Sequence, residues 1–124
     1  DVLTTLNFSD LAEFHVSHKG IATMALTSVE KTSMWGVASI QSNRIVDFVE
    51  KPKLRTKSHL INAGIYVLSP EVFKYILPDS TRLEKDLFPR LAAEGKLFAY
   101  PFEADWYDVS TPEVYAEVLR DWKK

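Results

Sequence analysis

Charged and amide side chains follow or interrupt two apolar runs of this sequence at positions where strands should end. Glu50 and Lys51 come directly after the first run, residues 45–49. Asn62 lies in the second run, which covers residues 60–68. Polar groups at strand ends line the ligand crevice of open α/β sheets, so we expect these three side chains to converge on one ligand. The combination of an acid, a base and an amide favours a polar, phosphorylated ligand.

Each of these residues also has a structural alternative. Glu50 and Lys51 could be surface charges at the end of a strand, and Asn62 could be a buried structural amide beside a packing glycine, Gly64. Gly36 could simply open a strand. On these residues alone, the binding and the structural interpretations both stay open.

Composition favours one folded unit over residues 1–124. The chain is 46% hydrophobic and 26% charged, which is ordinary for a globular domain, and its net charge of -2 offers no positive field for nucleic acid or a membrane surface. It has no cysteine, and its three histidines lack metal-ligand spacing. No stretch approaches the roughly twenty apolar residues that span a bilayer. We therefore expect a soluble, cytoplasmic protein that binds neither nucleic acid nor membranes.

Strands should alternate with helices, which predicts a mixed α/β architecture. Ser9-Asp10 opens a first helix, Ser69-Pro70 and Thr111-Pro112 open later ones, and Pro89 kinks or begins the helix between them. The predicted strands are residues 21–29, 36–40, 45–49, 60–68, 97–102 and 106–109, with a hairpin turn at 41–44 and a polar loop at 53–59.

Several local expectations follow from this assignment. Gly20 should supply the left-handed cap of the first helix. His15 and His18 should lie on the solvated face of that helix. The segment Glu84-Lys85-Asp86-Leu87-Phe88-Pro89 should serve packing and capping. The last helix should turn its apolar residues toward the core, namely Val114, Tyr115, Val118 and Leu119.

Taken together, these motifs resemble those of the sugar-1-phosphate nucleotidylyltransferases. The resemblance is carried by Glu50-Lys51-Pro52, Asn62 to Tyr66, Trp106-Tyr107-Asp108, Thr111-Pro112-Glu113 and the aromatic-glycine pair Trp35-Gly36. The Asn-Ala-Gly-Ile-Tyr wording leans toward the mannose-1-phosphate guanylyltransferase and glucose-1-phosphate thymidylyltransferase branches. The resemblance implies a mixed-sheet, three-layer nucleotide-diphospho-sugar transferase-like fold, of which this chain is the carboxy-terminal, sugar-phosphate-binding half.

The resemblance also implies roles for individual residues. Lys51 pairs with the phosphate of a sugar-1-phosphate, Glu50 and Asn62 bind sugar hydroxyls, and the backbone at Gly36 and Gly64 approaches the sugar. Asp1 and Asp108 hold Mg²⁺, and Lys51 and Asp108 are the residues assigned to catalysis. Without the resemblance, Asp108 could equally be a turn or capping aspartate, and Asp1 could be frayed at the terminus.

The family's glycine-rich triphosphate loop is missing from this sequence. The four glycines are too far apart to cradle a phosphate. We therefore expect a fragment that is inactive alone, within an enzyme that joins an NTP to a hexose-1-phosphate and releases pyrophosphate, with the NTP bound only when the amino-terminal half is present. The alternative is a non-catalytic binding or regulatory subunit derived from the family.

A sheet cut at this side would expose an apolar edge, and exposed edges pair with other strands. The sequence therefore predicts self-association, or pairing with the missing half, through residues Val2, Leu3, Leu6 and Phe8.

Overall fold

A computed structural model describes residues 1–30, 32–53, 58–77 and 81–122. The strands are Val2–Thr4 (β1), Ala22–Ser28 (β2), Val37–Gln41 (β3), Arg44–Val49 (β4), Leu60–Leu68 (β5), Leu97–Pro101 (β6) and Trp106–Asp108 (β7). The helices are Phe8–His18 (α1), Phe88–Ala93 (α2) and Pro112–Asp121 (α3), with a 3₁₀ helix at Pro70–Tyr75 and a π-helix at Leu83–Leu87. The predicted elements occur in the predicted order, with β1 as an additional strand. The helix expected after Ser69 is the 3₁₀ helix, and the Ser69 side chain does not cap it.

Five of the strands close on one another in the order β2-β5-β3-β4-β6. The arrangement is mixed, as predicted, because β2 runs parallel to β6 while the other pairs are antiparallel. The short strands β1 and β7 form a separate antiparallel pair. The described strands thus form a small barrel and a separate pair, and the three-layer arrangement implied by the resemblance stays a prediction.

Strand β2 is buried on both faces, as its continuous apolar run predicts. Met24 and Leu26 belong to the cluster that α2 closes with Phe88 and Leu91. Ala25, on the opposite face, belongs to the cluster beneath α1. Side chains alternate across a strand, so a strand covered on both faces needs apolar residues at every position.

Helix α1 has different capping residues at both termini from those predicted. Its N-cap is Asn7, whose side-chain oxygen accepts a hydrogen bond from the Asp10 amide. The left-handed residue at its C-terminus is Lys19, with φ 53°, rather than Gly20. Gly20 is required for a different reason, since a Cβ at that position would lie 2.3 Å from the Phe98 ring.

The prediction that His15 is solvated is wrong. Its side chain is only 5% exposed, and its ring nitrogens lie 2.7 Å from the hydroxyls of Thr23 and Ser69. The Ser69 hydroxyl donates to the Gly20 carbonyl, so it accepts from His15 Nε2, and Nδ1 is left to accept from Thr23. His18 is half-buried and stacks on Phe14 with ring centroids 3.9 Å apart. Two tertiary hydroxyl partners, which helical spacing does not reveal, explain the burial of His15.

Helix α3 begins as predicted, with the Thr111 hydroxyl accepting from the Val114 amide. Its apolar face is only partly covered, which corrects the expected core set. Val118 is buried and Val114 is half-buried, but Tyr115 and Leu119 are 56% and 69% exposed. The helix packs against the short strand β7, and so small a strand covers only one stripe of it.

The predicted apolar edge at β1 is present only in part. Leu6 is buried and Leu3 half-buried, whereas Val2 and Phe8 are 38% and 57% exposed. Pairing of β1 with β7 covers one edge of β1. Self-association through this surface stays a prediction. In the ranges that the structure describes, no helix is long and apolar enough to cross a bilayer, and residues 54–57 of the expected polar loop lie outside those ranges.

Candidate functional site

A cavity of about 290 Å³ opens beside β5, and we call it the site cavity. It collects polar side chains that are far apart in the sequence. Among its lining residues are six of the seven predicted site residues: Gly36, Glu50, Lys51, Asn62, Gly64 and Asp108. The other described lining residues are Val2, Met34, Trp35, Ala63, Tyr66, Glu84 and Trp106. Asp1 is exposed and does not appear in the lining, although its neighbour Val2 does.

The turn after β4 fixes the charged pair. Lys51 has φ 46°, a left-handed conformation that is uncommon for a residue with a Cβ. Its amide donates to the Trp35 carbonyl over 3.1 Å, which ties the end of β4 to the segment that enters β3. The Lys51 side chain is exposed and Glu50 is half-buried, so the lysine can reach a ligand at the mouth of the site cavity.

Gly36 lies where only a glycine fits. A Cβ at this position would lie 2.3 Å from the Phe48 ring and 3.0 Å from Glu50 Oε1. The Gly36 carbonyl accepts a hydrogen bond from the backbone N–H of Asn62 at 2.8 Å, which joins the start of β3 to β5. The missing side chain therefore leaves room for the Glu50 carboxylate beside a buried backbone segment.

Asn62 is 8% exposed, and its amide orientation is fixed from both ends. Its Oδ1 accepts from the Gly64 amide at 2.8 Å, and its Nδ2 donates to the Tyr66 hydroxyl at 2.7 Å. One Nδ2 hydrogen and one Oδ1 lone pair remain. Gly64 has φ 78° and lies in the stretch of β5 where the pairing with β2 shifts register, so a glycine is favoured there.

Tyr66 and Glu84 are cavity residues that the sequence analysis missed. The Tyr66 hydroxyl accepts from Asn62 and donates to Glu84 Oε1 over 3.4 Å, a long hydrogen bond. Burial raises the pKa of Tyr66 to about 12, so the hydroxyl keeps its proton. The sequence assigns the segment from Glu84 to packing and capping, and that prediction does not include the place of Glu84 in the cavity lining. Tyr66 could have been found, because residues four apart in one strand share a face.

The acidic pair alters the electrostatics of the site. The pKa of Glu50 is raised, first by burial and then by the negative charge of Glu84, while Lys51 and Lys85 act in the opposite direction.

The segment that follows Glu84 contributes capping and packing, as predicted. Asp86 caps the π-helix by accepting from the Arg82 amide at 2.7 Å, and Leu87 and Phe88 are fully buried in the core, as are the later residues Leu91 and Leu97.

Two tryptophans form one wall of the site cavity. Their rings meet edge to face with centroids 6.0 Å apart. Trp35 Nε1 donates to Asp108 Oδ2 at 3.1 Å, and Trp106 Nε1 donates to the Ala63 carbonyl at 3.0 Å. The wall therefore orients Asp108 and holds β7 against β5.

Asp1 directly precedes β1, and Asp108 is the last residue of the neighbouring strand β7. Val2 is the register partner of Asp108, and the Val109 amide donates to the Asp1 carbonyl at 2.7 Å. One Asp108 oxygen is engaged by Trp35, and the other has no protein hydrogen bond among those found in the described residues. Mg²⁺ takes one or two protein carboxylates and completes its shell with water and phosphate, and of this pair only Asp108 lines the site cavity. Within the described residues no group of three or more His, Cys, Asp or Glu residues could hold a metal.

The whole chain, residues 1–124, matches the family model described as nucleotidyl transferase. It is 40% identical over 116 residues to mannose-1-phosphate guanyltransferase of Saccharomyces cerevisiae, a match covering 91% of this chain and 32% of the relative. It is 37% identical over 115 residues to mannose-1-phosphate guanylyltransferase catalytic subunit beta of Dictyostelium discoideum, again covering 91% of this chain and 32% of the relative. The chain thus spans about a third of the length of these curated relatives.

A solved structure gives the same result for the fold. The Bacillus anthracis protein assigned as a glucose-1-phosphate thymidylyltransferase, crystallised with sucrose, superimposes with a TM-score of 0.84 at 26% identity. The superposition covers 100% of this chain and 53% of that one. Because the family model matches this chain from residue 1 to residue 124, the chain belongs to the nucleotidyl transferase family.

Proposed function

We propose that the site cavity binds a hexose-1-phosphate as the acceptor in nucleotidyl transfer. In that reaction an oxygen of the sugar phosphate attacks the α-phosphorus of an NTP, and pyrophosphate leaves. One observation carries the proposal: Gly36, Glu50, Lys51, Asn62, Gly64 and Asp108 come from separate segments and line one cavity. The names of the relatives, which are mannose-1-phosphate guanylyltransferases, support a sugar phosphate as the ligand.

Each side chain has a chemical task in this proposal. Lys51 supplies the cation for the sugar phosphate, because both reactants are anions and charge neutralisation is the main demand of the reaction. Glu50 accepts hydrogen bonds from sugar hydroxyls, and Asn62 offers its remaining N–H and lone pair. Gly36 leaves space for the sugar beside Glu50, and Gly64 keeps β5 open at the cavity.

Asp1 and Asp108 are proposed to hold Mg²⁺. The bound ion would neutralise charge on the triphosphate and so assist departure of pyrophosphate. Trp35 would then be a positioning residue, since its Nε1 hydrogen bond fixes one oxygen of Asp108 and directs the other outward. Lys51 and Asp108 are the residues to which we assign direct roles in the reaction.

The triphosphate requires groups beyond these residues. The four glycines, at positions 20, 36, 64 and 95, provide no closely spaced pair, so this chain has no glycine-rich loop to cradle a triphosphate. We propose that the NTP binds only together with further polypeptide, and that the 124-residue chain alone binds the sugar phosphate without catalysing transfer. The non-catalytic alternative makes the same demand of the site cavity but requires no Mg²⁺.

Calorimetric titration of the 124-residue chain with mannose-1-phosphate and glucose-1-phosphate tests the proposal, with and without Mg²⁺ and with GTP as the comparison ligand. We expect heat from a sugar phosphate and none from GTP. Loss of the charge-assisted contact in Lys51→Ala should weaken binding by about 1.5–3 kcal/mol. Lys53→Ala, which removes an exposed lysine two residues later, is the matched control and should bind normally.

Two results would count against the proposal. Binding of GTP but of neither sugar phosphate would assign the site cavity to the nucleotide instead. Equal loss of affinity in Lys51→Ala and Lys53→Ala would mean that general positive charge, and not Lys51, attracts the phosphate.

A further inference from the structure

The site cavity has more negative than positive side chains. Its described lining contains the carboxylates Glu50, Glu84 and Asp108, against the single cation of Lys51. Asp108 is on the tryptophan wall, where it accepts from Trp35. Glu84 is instead connected to the amide of Asn62 through the Tyr66 hydroxyl. If Asn62 binds sugar hydroxyls, Glu84 lies on the sugar side of the cavity.

Glu50 and Glu84 both line the site cavity, where the Tyr66 hydroxyl donates to Glu84 over 3.4 Å. The charge of Glu84 ranks directly after burial among the causes that raise the pKa of Glu50, ahead of the opposing lysines. Lys85 is one of those lysines, but it is exposed and does not line the cavity among the described residues. Lys51 is the cation proposed for the phosphate. A second negative charge on the sugar would therefore meet two carboxylates and no free cation from the described lining.

We propose that Glu84 is a specificity-determining residue which, together with Glu50, restricts the site cavity to sugar-1-phosphates whose ring carries no negative charge. This inference rests on the proposed function. Neutral hexoses satisfy the two carboxylates by donating hydroxyl hydrogens. A uronic acid-1-phosphate places a carboxylate near them and is rejected by like-charge repulsion in a partly desolvated site.

The test compares two ligands that differ only at C6, mannose-1-phosphate and mannuronate-1-phosphate, by titration of the 124-residue chain at low ionic strength. We expect mannuronate-1-phosphate to bind about tenfold more weakly. We call the ratio of the two dissociation constants the gap. Glu84→Gln keeps the size and the hydrogen-bonding reach of the side chain and removes its charge, so the gap should narrow to about threefold. Glu113→Gln makes the same charge change on an exposed turn of α3, outside the lining, and should leave the gap unchanged.

Salt gives a second measurement that a purely structural role for Glu84 would not move. Raising ionic strength should narrow the gap in the wild-type chain and change it little in Glu84→Gln. Equal affinity for the two ligands, or a gap that Glu84→Gln leaves intact, overturns this inference alone, since mannose-1-phosphate still binds. Failure of mannose-1-phosphate itself to bind the wild-type chain overturns the proposed function and this inference with it.

Discussion

Substitution of Gly36 by alanine should damage both stability and ligand binding, because one added carbon collides with a core ring and with a site carboxylate. The new Cβ would lie 2.3 Å from Phe48 Cζ, 2.9 Å from Cε1 and 3.0 Å from Glu50 Oε1. Carbon atoms pack favourably at about 3.5–4.0 Å, so the Phe48 ring must withdraw by more than about 1 Å. The Glu50 carboxylate must move as well.

The cost follows from how tightly Phe48 is held. Its side chain is 4% exposed, and its ring packs edge to face on Phe88 with centroids 6.0 Å apart. Phe88 is fully buried in the same cluster, so the ring has no empty space to enter. Overpacking of a well-filled core costs about 1–3 kcal/mol, and we expect Gly36→Ala to lower the free energy of unfolding by that amount.

Urea unfolding of wild type and variant measures the loss as a shift of the midpoint at constant slope. Gly20→Ala is a matched control, because its Cβ would also lie 2.3 Å from a phenylalanine ring, that of Phe98, which is not among the described lining of the site cavity. Both variants should lose similar stability, but only Gly36→Ala should lose affinity for mannose-1-phosphate. Wild-type stability in Gly36→Ala would refute the packing argument, and equal ligand affinity in all three proteins would refute the role of Gly36 in the site.

Three further predictions concern other positions. Burial lowers the pKa of His15, with Glu71 acting in the opposite direction. As the pH falls below about 6.5, the histidine of the unfolded chain is protonated first, so the folded state loses stability. Urea midpoints should therefore fall more between pH 7 and pH 5 in wild type than in His15→Gln. Tyr66, with its pKa raised to about 12, should give no phenolate absorbance at pH 10.5. Tyr66→Phe leaves Asn62 Nδ2 without its hydrogen-bond acceptor and should lower the free energy of unfolding by about 1–3 kcal/mol. Thr111→Ala removes the N-cap of α3 and should cost about 1 kcal/mol, with Thr111→Ser close to wild type.

Much of the site could be predicted from the sequence because its residues follow strands that the sequence itself marks. The apolar run of β5 is long, with residues 61–63 buried and the rest half-buried or exposed. The hairpin of β3 and β4 is signalled by small polar residues at its turn. Glu50 and Asn62 were assigned from their positions relative to those strands. Local propensity and alternation determine such elements, so no knowledge of distant contacts was needed.

Most of the features that the sequence does not predict depend on contacts between distant segments. His15 is buried because Thr23 and Ser69 happen to meet it, and Ser69 is 54 residues away. Glu84 joins the site through one hydroxyl of β5. The closure of five strands into a barrel requires a single register pair between β4 and β6, Arg44 with Phe98. Residue type and spacing do not encode such pairings, which is why the sequence does not predict the barrel closure, the buried histidine or the second carboxylate.

Backbone conformation separates the local features from those of the site. In the described part of the chain, positive φ occurs at Lys19, Ser42, Lys51, Gly64 and Gly95. Three of these have ordinary explanations, since Lys19 caps α1, Ser42 lies in the hairpin turn and Gly95 follows α2. Lys51 and Gly64 have none of these, and both line the site cavity.

Lys51 is the more informative of the two, because a side chain in the left-handed region costs about 1–2 kcal/mol that glycine would avoid. The amide of Lys51 is held by the Trp35 carbonyl at 3.1 Å, so the surrounding structure enforces the strained conformation. Strain of this kind persists where the surrounding structure over-determines it, and such positions cluster at functional sites. The conformation of residue 51 at the site cavity therefore agrees with the role proposed for Lys51.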